Sequence, residues 1–158
     1  MNRPILYRGR IQEECSNAGQ WIYGGAMEFR NKHYINGVVE VDSGVRLYVY
    51  VDPKTLGQYV CRIKNSNGED VNIFEHDIIR LSRRDKKLSC ELVVVYEKGR
   101  FILLHTDAEG CPAFDVNGYR LNAVSYLTGA SGAVEVLGNI HDNPDMVSWS
   151  EESTRRYV

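Results

Sequence analysis

With 158 residues, 43% hydrophobic and 25% charged, the chain is long enough to bury a core without covalent staples and reads as an ordinary globular protein. Its 19 basic and 21 acidic side chains leave a formal net charge of -2, which excludes a global attraction to nucleic acid or to an acidic membrane. The four cysteines, Cys15, Cys61, Cys90 and Cys111, form no CxxC pair and are widely spaced, so they read as reduced thiols rather than a zinc site.

The start, "MNRPILYRGR", has no long apolar stretch after its charge and does not read as a secretory leader. A cytoplasmic location is expected. Runs such as "LVVVY" and "FILL" are too short to span a bilayer. Residues 1–150 read as a single β domain and 151–158 as a polar tail. The 14 glycines and ten tyrosines favour strands and turns.

In chain order, the first clear strand is "VRLYVYV". Val45, Leu47, Val49 and Val51 share one face, and Arg46, Tyr48 and Tyr50 share the other, so a half-buried strand is expected. Next comes a hairpin over residues 57–74. A three-residue loop at Ser66-Asn67-Gly68 sets Lys64 opposite Asp70, Ile63 opposite Val71 and Cys61 opposite Ile73. Like then meets like, and Gly68 takes the left-handed position. Glu75, His76 and Asp77 follow, ahead of the apolar "IIRL". Neighbouring carboxylates suggest acid–base chemistry, but Asp in such a place more often bonds nearby backbone amides, and a sheet corner is expected.

"RLSRRDKKLSC" concentrates Arg80, Arg83, Arg84, Lys86 and Lys87 in eight residues between strand-like flanks. These five are candidate phosphate contacts, or a solvated loop that discourages edge-to-edge pairing. "LVVVY" and "FILLH" read as strands buried on both faces, with Tyr96 opposite Phe101 in their hairpin. In "AFDVNGYRLN", a two-residue Asn117-Gly118 turn is expected to pair Val116 with Tyr119, Asp115 with Arg120 and Phe114 with Leu121. "TDAEGCP" reads as a mobile loop, and "GASGA" as a flexible one, since it lacks both the serine-elbow pattern and a phosphate-loop lysine. The best helix signal is "DNPDMVSWS", with Asn143 as cap and Pro144 in the first turn.

Among Tyr7, Trp21, Tyr23, Tyr34, Tyr48 and Tyr50, the pair Tyr48 and Tyr50 stands out. They share a strand face with Arg46, and an uncovered face of that kind is a candidate contact surface. The histidines His33, His76, His105 and His141 show no metal-binding spacing. No catalytic residue, metal or cofactor is expected.

The stretch "TLGQYVCRIKNSNGEDVNIFEHDIIRL" resembles the core motif of the YopX family of bacteriophage and prophage proteins, roughly T-V-G-Q-Y-T-G-L-x-D-x-N-G-x-x-I-Y-E-G-D-I-V. "LYRGRI" and "GQWIYGG" are similar to its R-G-K and W-V-Y-G segments, and "VEVLGNIHDNPDMV" to its closing V-I-G-N-I-Y-E-N-P-E-L. Cys61, Arg62 and His76 depart from its usual Thr, Gly and Gly. The resemblance implies an all-β domain with an SH3-like barrel and a phage or prophage origin; it does not imply any particular activity. With added hairpins and a short C-terminal helix, that is the expected fold. The expected role is binding rather than catalysis, through a phage or host protein partner or self-association. Nucleic-acid binding through residues 80–87 is the alternative, and an enzyme with a site assembled from scattered residues is the third class.

Overall fold

The structure is a computed structural model that describes residues 6–12, 16–41, 44–82, 89–115, 117–130 and 133–158. The described chain is built mainly of antiparallel β-strands and falls into two compact units that divide after Tyr59.

The first unit holds β1 (Tyr7–Arg10), β2 (Trp21–Gly24), β3 (Ala26–Phe29), β4 (Lys32–Val41), β5 (Gly44–Tyr50) and the start of β6 (Gly57–Lys64). β1 pairs with β2 and, through Tyr7↔Gln58 and Arg8↔Gly57, with β6. β3, β4 and β5 form a three-stranded meander. Ile11, Ile22, Ile35, Val49 and Val51 make its core. Before β6, Thr55 sits in a short turn, where its hydroxyl oxygen accepts from Arg10 N (2.8 Å) and donates to Asp52 O.

β2 and β4 touch through their backbones. A Cβ on Gly24 would lie 1.8 Å from Asn36 O, and Asn36 N donates to Gly25 O (2.8 Å). Just beyond, β4 carries a bulge between Asn36 and Val39. This is where the even alternation expected for β5 fails. Val49 and Val51 are buried, but Val45 and Leu47 are 62% and 59% exposed. The distal half of the β4–β5 hairpin runs past the small core that covers its proximal half. Both faces of β5 therefore present side chains to solvent there.

The second unit continues β6 into β7 (Asp70–Phe74) and adds β8 (Asp77–Ser82), β9 (Ser89–Glu97), β10 (Arg100–His105), α1 (Ala123–Gly129), β11 (Val134–Asn139) and α2 (Glu151–Tyr157). Its main sheet has the order β10-β9-β8-β11. Both faces are covered, which explains the continuous apolar runs. Leu92, Val94, Leu103, Ile79 and Leu81 pack with Val60, Ile63, Ile73 and the α1 residues Ala123 and Leu127. On the other face Ile78, Val93, Val95, Ile102 and Leu104 meet Leu137, Met146, Val147, Trp149 and Tyr157. Each such buried Leu, Ile or Val contributes roughly 1.5–3 kcal/mol from removal of apolar area from water.

Two hairpins in this unit are closed by one device. Asn65 Oδ1 accepts from Asn67 N and Glu69 N, while Asn65 N donates to Glu69 O. The loop is therefore Ser66-Asn67-Gly68, with Lys64 3.1 Å from Asp70 and Arg62 bonded to Asn72, the register expected from the sequence. Asp115 repeats this arrangement with Asn117 N and Tyr119 N, and Phe114 bridges Arg120. The two-residue Asn117-Gly118 turn expected there is thus one residue too short. The Asp115 carboxylate satisfies two loop amides and selects the longer loop. A third hairpin has no such side chain at its entry. Lys98 and Gly99, both at positive φ, form a tight two-residue turn, and Tyr96 pairs with Phe101 with ring centroids 5.2 Å apart.

Helices depart furthest from the sequence expectation. α1 is capped by Asn122, whose side chain accepts from Ser125 N. Asn143 does not cap: its Oδ1 accepts from Asn139 N instead, and only a single tight turn forms over Pro144–Met146. The full helical turns come later, in α2, capped by Ser150. "TDAEGCP" is tied to this segment. Trp149 Nε1 donates to His105 O (2.8 Å), and the Glu109 carboxylate accepts from Ser150 N (2.9 Å). Those bonds from Ser150 and Ser153 favour the charged carboxylate and hold its pKa below the usual value.

Candidate functional site

Strand alternation puts Phe29 and Met27 of β3, Lys32, Tyr34 and Asn36 of β4, and Tyr50 and Tyr48 of β5 on one side of the meander. The register sets Met27 beside Tyr34, Tyr34 beside Tyr50, and Asn36 beside Tyr48. The opposite side carries Ile35 and Val49 into the core. On the outer side Phe29 is 54% exposed, Tyr48 52% and Met27 42%. Tyr34 and Tyr50 are half-buried, with ring centroids 5.8 Å apart.

Two cations edge this surface. Lys32 Nζ lies 5.0 Å from the centre of the Tyr50 ring, and the Arg30 guanidinium 5.1 Å from that of Phe29. Arg30 and Asn31 both take positive φ, so the β3–β4 turn is tight and brings these cations back over the rings. Of the three residues expected on this face, Tyr48 and Tyr50 lie there. Arg46 is placed by backbone register opposite Val39. Met27 and Phe29 escaped sequence reasoning because "AMEF" points its larger apolar residues outward. The available signal was the tight Arg30-Asn31 turn, which fixes which residues share a side.

The Glu75–His76–Asp77 turn is a structural corner. Asp77 is buried, and its Oδ2 accepts from Phe74 N (2.8 Å). His76 stands at φ 70 and is buried, with Nδ1 3.1 Å from His141 Nε2. Its carbonyl accepts from Ile140 N. The turn after β11 is organised around Asn139, whose Oδ1 accepts from both His141 N and Asp142 N. The backbone and side-chain bonds join these two turns as a scaffold. Among the described residues, no group of three or more His, Cys, Asp or Glu side chains could hold a metal.

The basic segment is only partly described. Arg83, Arg84, Lys86 and Lys87 lie outside the described residues. Arg80 lies on β8 between two carboxylates, 2.9 Å from Glu91 and 3.4 Å from Glu135. Those partners stabilise its charge and raise its pKa further, chiefly through the Glu91 hydrogen bond. Arg80 is thus engaged in cross-strand ion pairing.

A cavity of about 110 Å³ in the second unit is lined by Ile140, Pro144, Val147, Trp149, Thr154 and Val158. That is well below the roughly 300 Å³ at which small-molecule sites begin. Among the described residues, no helix is long and apolar enough to cross a membrane.

These features define a predominantly antiparallel β protein with an uncovered aromatic sheet face and a histidine-bearing corner. The family model of the YopX protein matches residues 15–148, and the chain belongs to the YopX family. None of the curated proteins matches it. The glycine of the family's E-G-D-I-V pattern falls at His76, the position held at φ 70, where glycine is free of strain.

Proposed function

We propose that this protein is a binding module of a phage or prophage, working in the bacterial cytoplasm, with an SH3-like barrel at the heart of its β-fold. Its contact surface is the outer side of β3, β4 and β5, and its partner is a phage or host protein. One observation carries the reading: Met27 and Phe29 of β3 and Tyr48 of β5, the two outer strands of the meander, stand exposed on one side of one sheet. Large exposed apolar side chains gathered on one face mark protein contacts, and aromatic residues, Met and Arg are enriched at interface cores. Arg30 and Lys32 supply a polar, cationic rim. The Arg80 ion pairs weigh against a phosphate-binding role for that residue.

The test compares three full-length chains: wild type, Phe29→Ala/Tyr48→Ala, and a form with Arg83, Arg84, Lys86 and Lys87 reversed to Glu. Each is used to capture proteins from infected-cell extract. Each is also titrated by fluorescence anisotropy against single-stranded DNA, duplex DNA and RNA at low and physiological salt. The expected result is a captured protein that the face variant loses and the loop variant keeps. Salt-sensitive nucleic-acid binding that only the loop variant loses would replace this reading with the nucleic-acid one.

A further inference from the structure

We infer that the outer side of β3, β4 and β5 takes an acidic, apolar protein segment, whose carboxylates meet Arg30 and Lys32 and whose large apolar side chain packs on Met27, Phe29 and Tyr48. This rests on the reading of that side as a contact surface and names the chemistry of its partner.

Charge on this surface is gathered at one end. Phe29 and Lys32 pair across the β3–β4 turn, and Arg30 follows Phe29 in that turn. Both cations are exposed. Among the described residues neither makes an ion pair with a carboxylate, and each lies against a ring, Arg30 over Phe29 and Lys32 over Tyr50. In the second unit, by contrast, Arg80 is held by Glu91 and Glu135, and Arg120 and Arg156 by Glu97. The acidic residues near the patch are turned away or engaged. Glu28 faces His33 in register, which alternation puts on the side of Ile35, and Asp52 accepts from Lys54 N. A partner that brings carboxylates to Arg30 and Lys32 gains attraction there, and a basic competitor is rejected.

The rest of the surface is apolar and runs away from that end. Met27 stands beside Tyr34, and Tyr48 beside Asn36, further along β4. Alternate residues of a strand are about 7 Å apart, so the path from Lys32 to Asn36 is about 13 Å. An extended partner covers this path with an acidic residue and an apolar anchor about two to four positions apart. Aromatic residues and Met at the centre, with cations at the edge, match the make-up of protein interfaces.

Single-stranded nucleic acid is also drawn to rings and cations, but it fits this surface less well. It stacks successive bases on aromatic platforms and follows a positively charged groove along its backbone. Here the Tyr34 and Tyr50 rings are tilted by 50° to one another, and both cations sit at one end.

The probe is a random peptide library displayed on yeast and selected on three full-length chains: wild type, Arg30→Glu/Lys32→Glu and Phe29→Ala/Tyr48→Ala. All four positions are exposed, and an unchanged Trp21 emission shows that the first unit stays folded in each. Wild type is expected to enrich peptides with Asp or Glu about two to four positions from an aromatic or large aliphatic residue. By anisotropy, those peptides bind the charge-reversed chain roughly fivefold or more weakly. That chain is expected to enrich Lys or Arg in place of the acidic residues. No enrichment on wild type, enrichment of neutral or basic peptides, or equal binding to the charge-reversed chain overturns the inference. So does single-stranded DNA that binds wild type more tightly than any selected peptide and is lost with Phe29→Ala/Tyr48→Ala. The reading it rests on fails separately. Peptides that bind the Phe29→Ala/Tyr48→Ala chain as well as wild type remove the contact surface itself. Peptides lost there but kept by the charge-reversed chain remove only the acidic partner.

Discussion

Gly24→Ala is expected to lower the stability of the first unit by about 3 kcal/mol, the upper end for forcing atoms into a packed site. Gly25→Ala, one residue on, is expected to change it by less than about 0.5 kcal/mol. The chemistry of the two substitutions is identical, and only the surroundings differ. A Cβ on Gly24 would overlap Asn36 O, a backbone atom, at 1.8 Å and press on Ile35 Cγ2 at 3.1 Å. A flexible side chain could swing away, but a strand carbonyl cannot without breaking the Asn36–Gly25 hydrogen bond and moving Ile35 from the core. A Cβ on Gly25 meets nothing within 4 Å. The molecule carries one tryptophan in each unit, Trp21 and Trp149. Urea unfolding of Trp149→Phe variants followed by Trp21 fluorescence therefore reads the first unit. Equal losses for the two glycines would show that the β2–β4 approach is looser than described.

The second large effect is at the corner. Asp77→Ala is expected to cost about 2–3 kcal/mol, the range for losing a hydrogen bond to a charged group and stranding its buried donor. Asp77 is 2% exposed, and the donor is Phe74 N, itself on a buried residue. Trp149 fluorescence in a Trp21→Phe background follows this unit. His76→Gly acts in the opposite sense at the backbone. Glycine relieves the left-handed strain at φ 70 but gives up the ring contact with His141. The expected pattern is a large loss at 77 and a small net change at 76. Little loss at Asp77 would contradict the structural role of the corner.

Much of the second unit was legible because its local and tertiary preferences agree. "LVVVY" and "FILLH" are apolar throughout, since the sheet they form is covered on both faces. The Ser66–Gly68 loop was readable because charge pairing, apolar pairing and the glycine all favoured one register. The second Asn-Gly turn misled because the deciding group is the Asp115 side chain, which accepts from two loop amides. α1 was hidden by its brevity and by Val124, Tyr126 and Thr128, residues with strand preference. On β5, period two correctly separated Val49 from Tyr48 but could not show that the core ends short of Val45 and Leu47. Where a core ends depends on other strands, and here also on a bulge in β4. The exposed aromatic face was half legible: period two put Tyr48 and Tyr50 on one side of their strand, while Met27 and Phe29 depend on a turn that flips the usual inside-outside order.

The most direct measurement places a photo-reactive phenylalanine analogue at position 48 and, in a separate chain, at position 119. Both positions carry exposed tyrosines, and Tyr119, at 72%, is the more exposed. Exposure alone therefore favours the control. After irradiation in infected cells, a discrete protein adduct is expected from position 48 and none from position 119. Adducts at 119 equal to those at 48, or no adduct at 48, would contradict the assignment of the β3–β5 face as the contact surface.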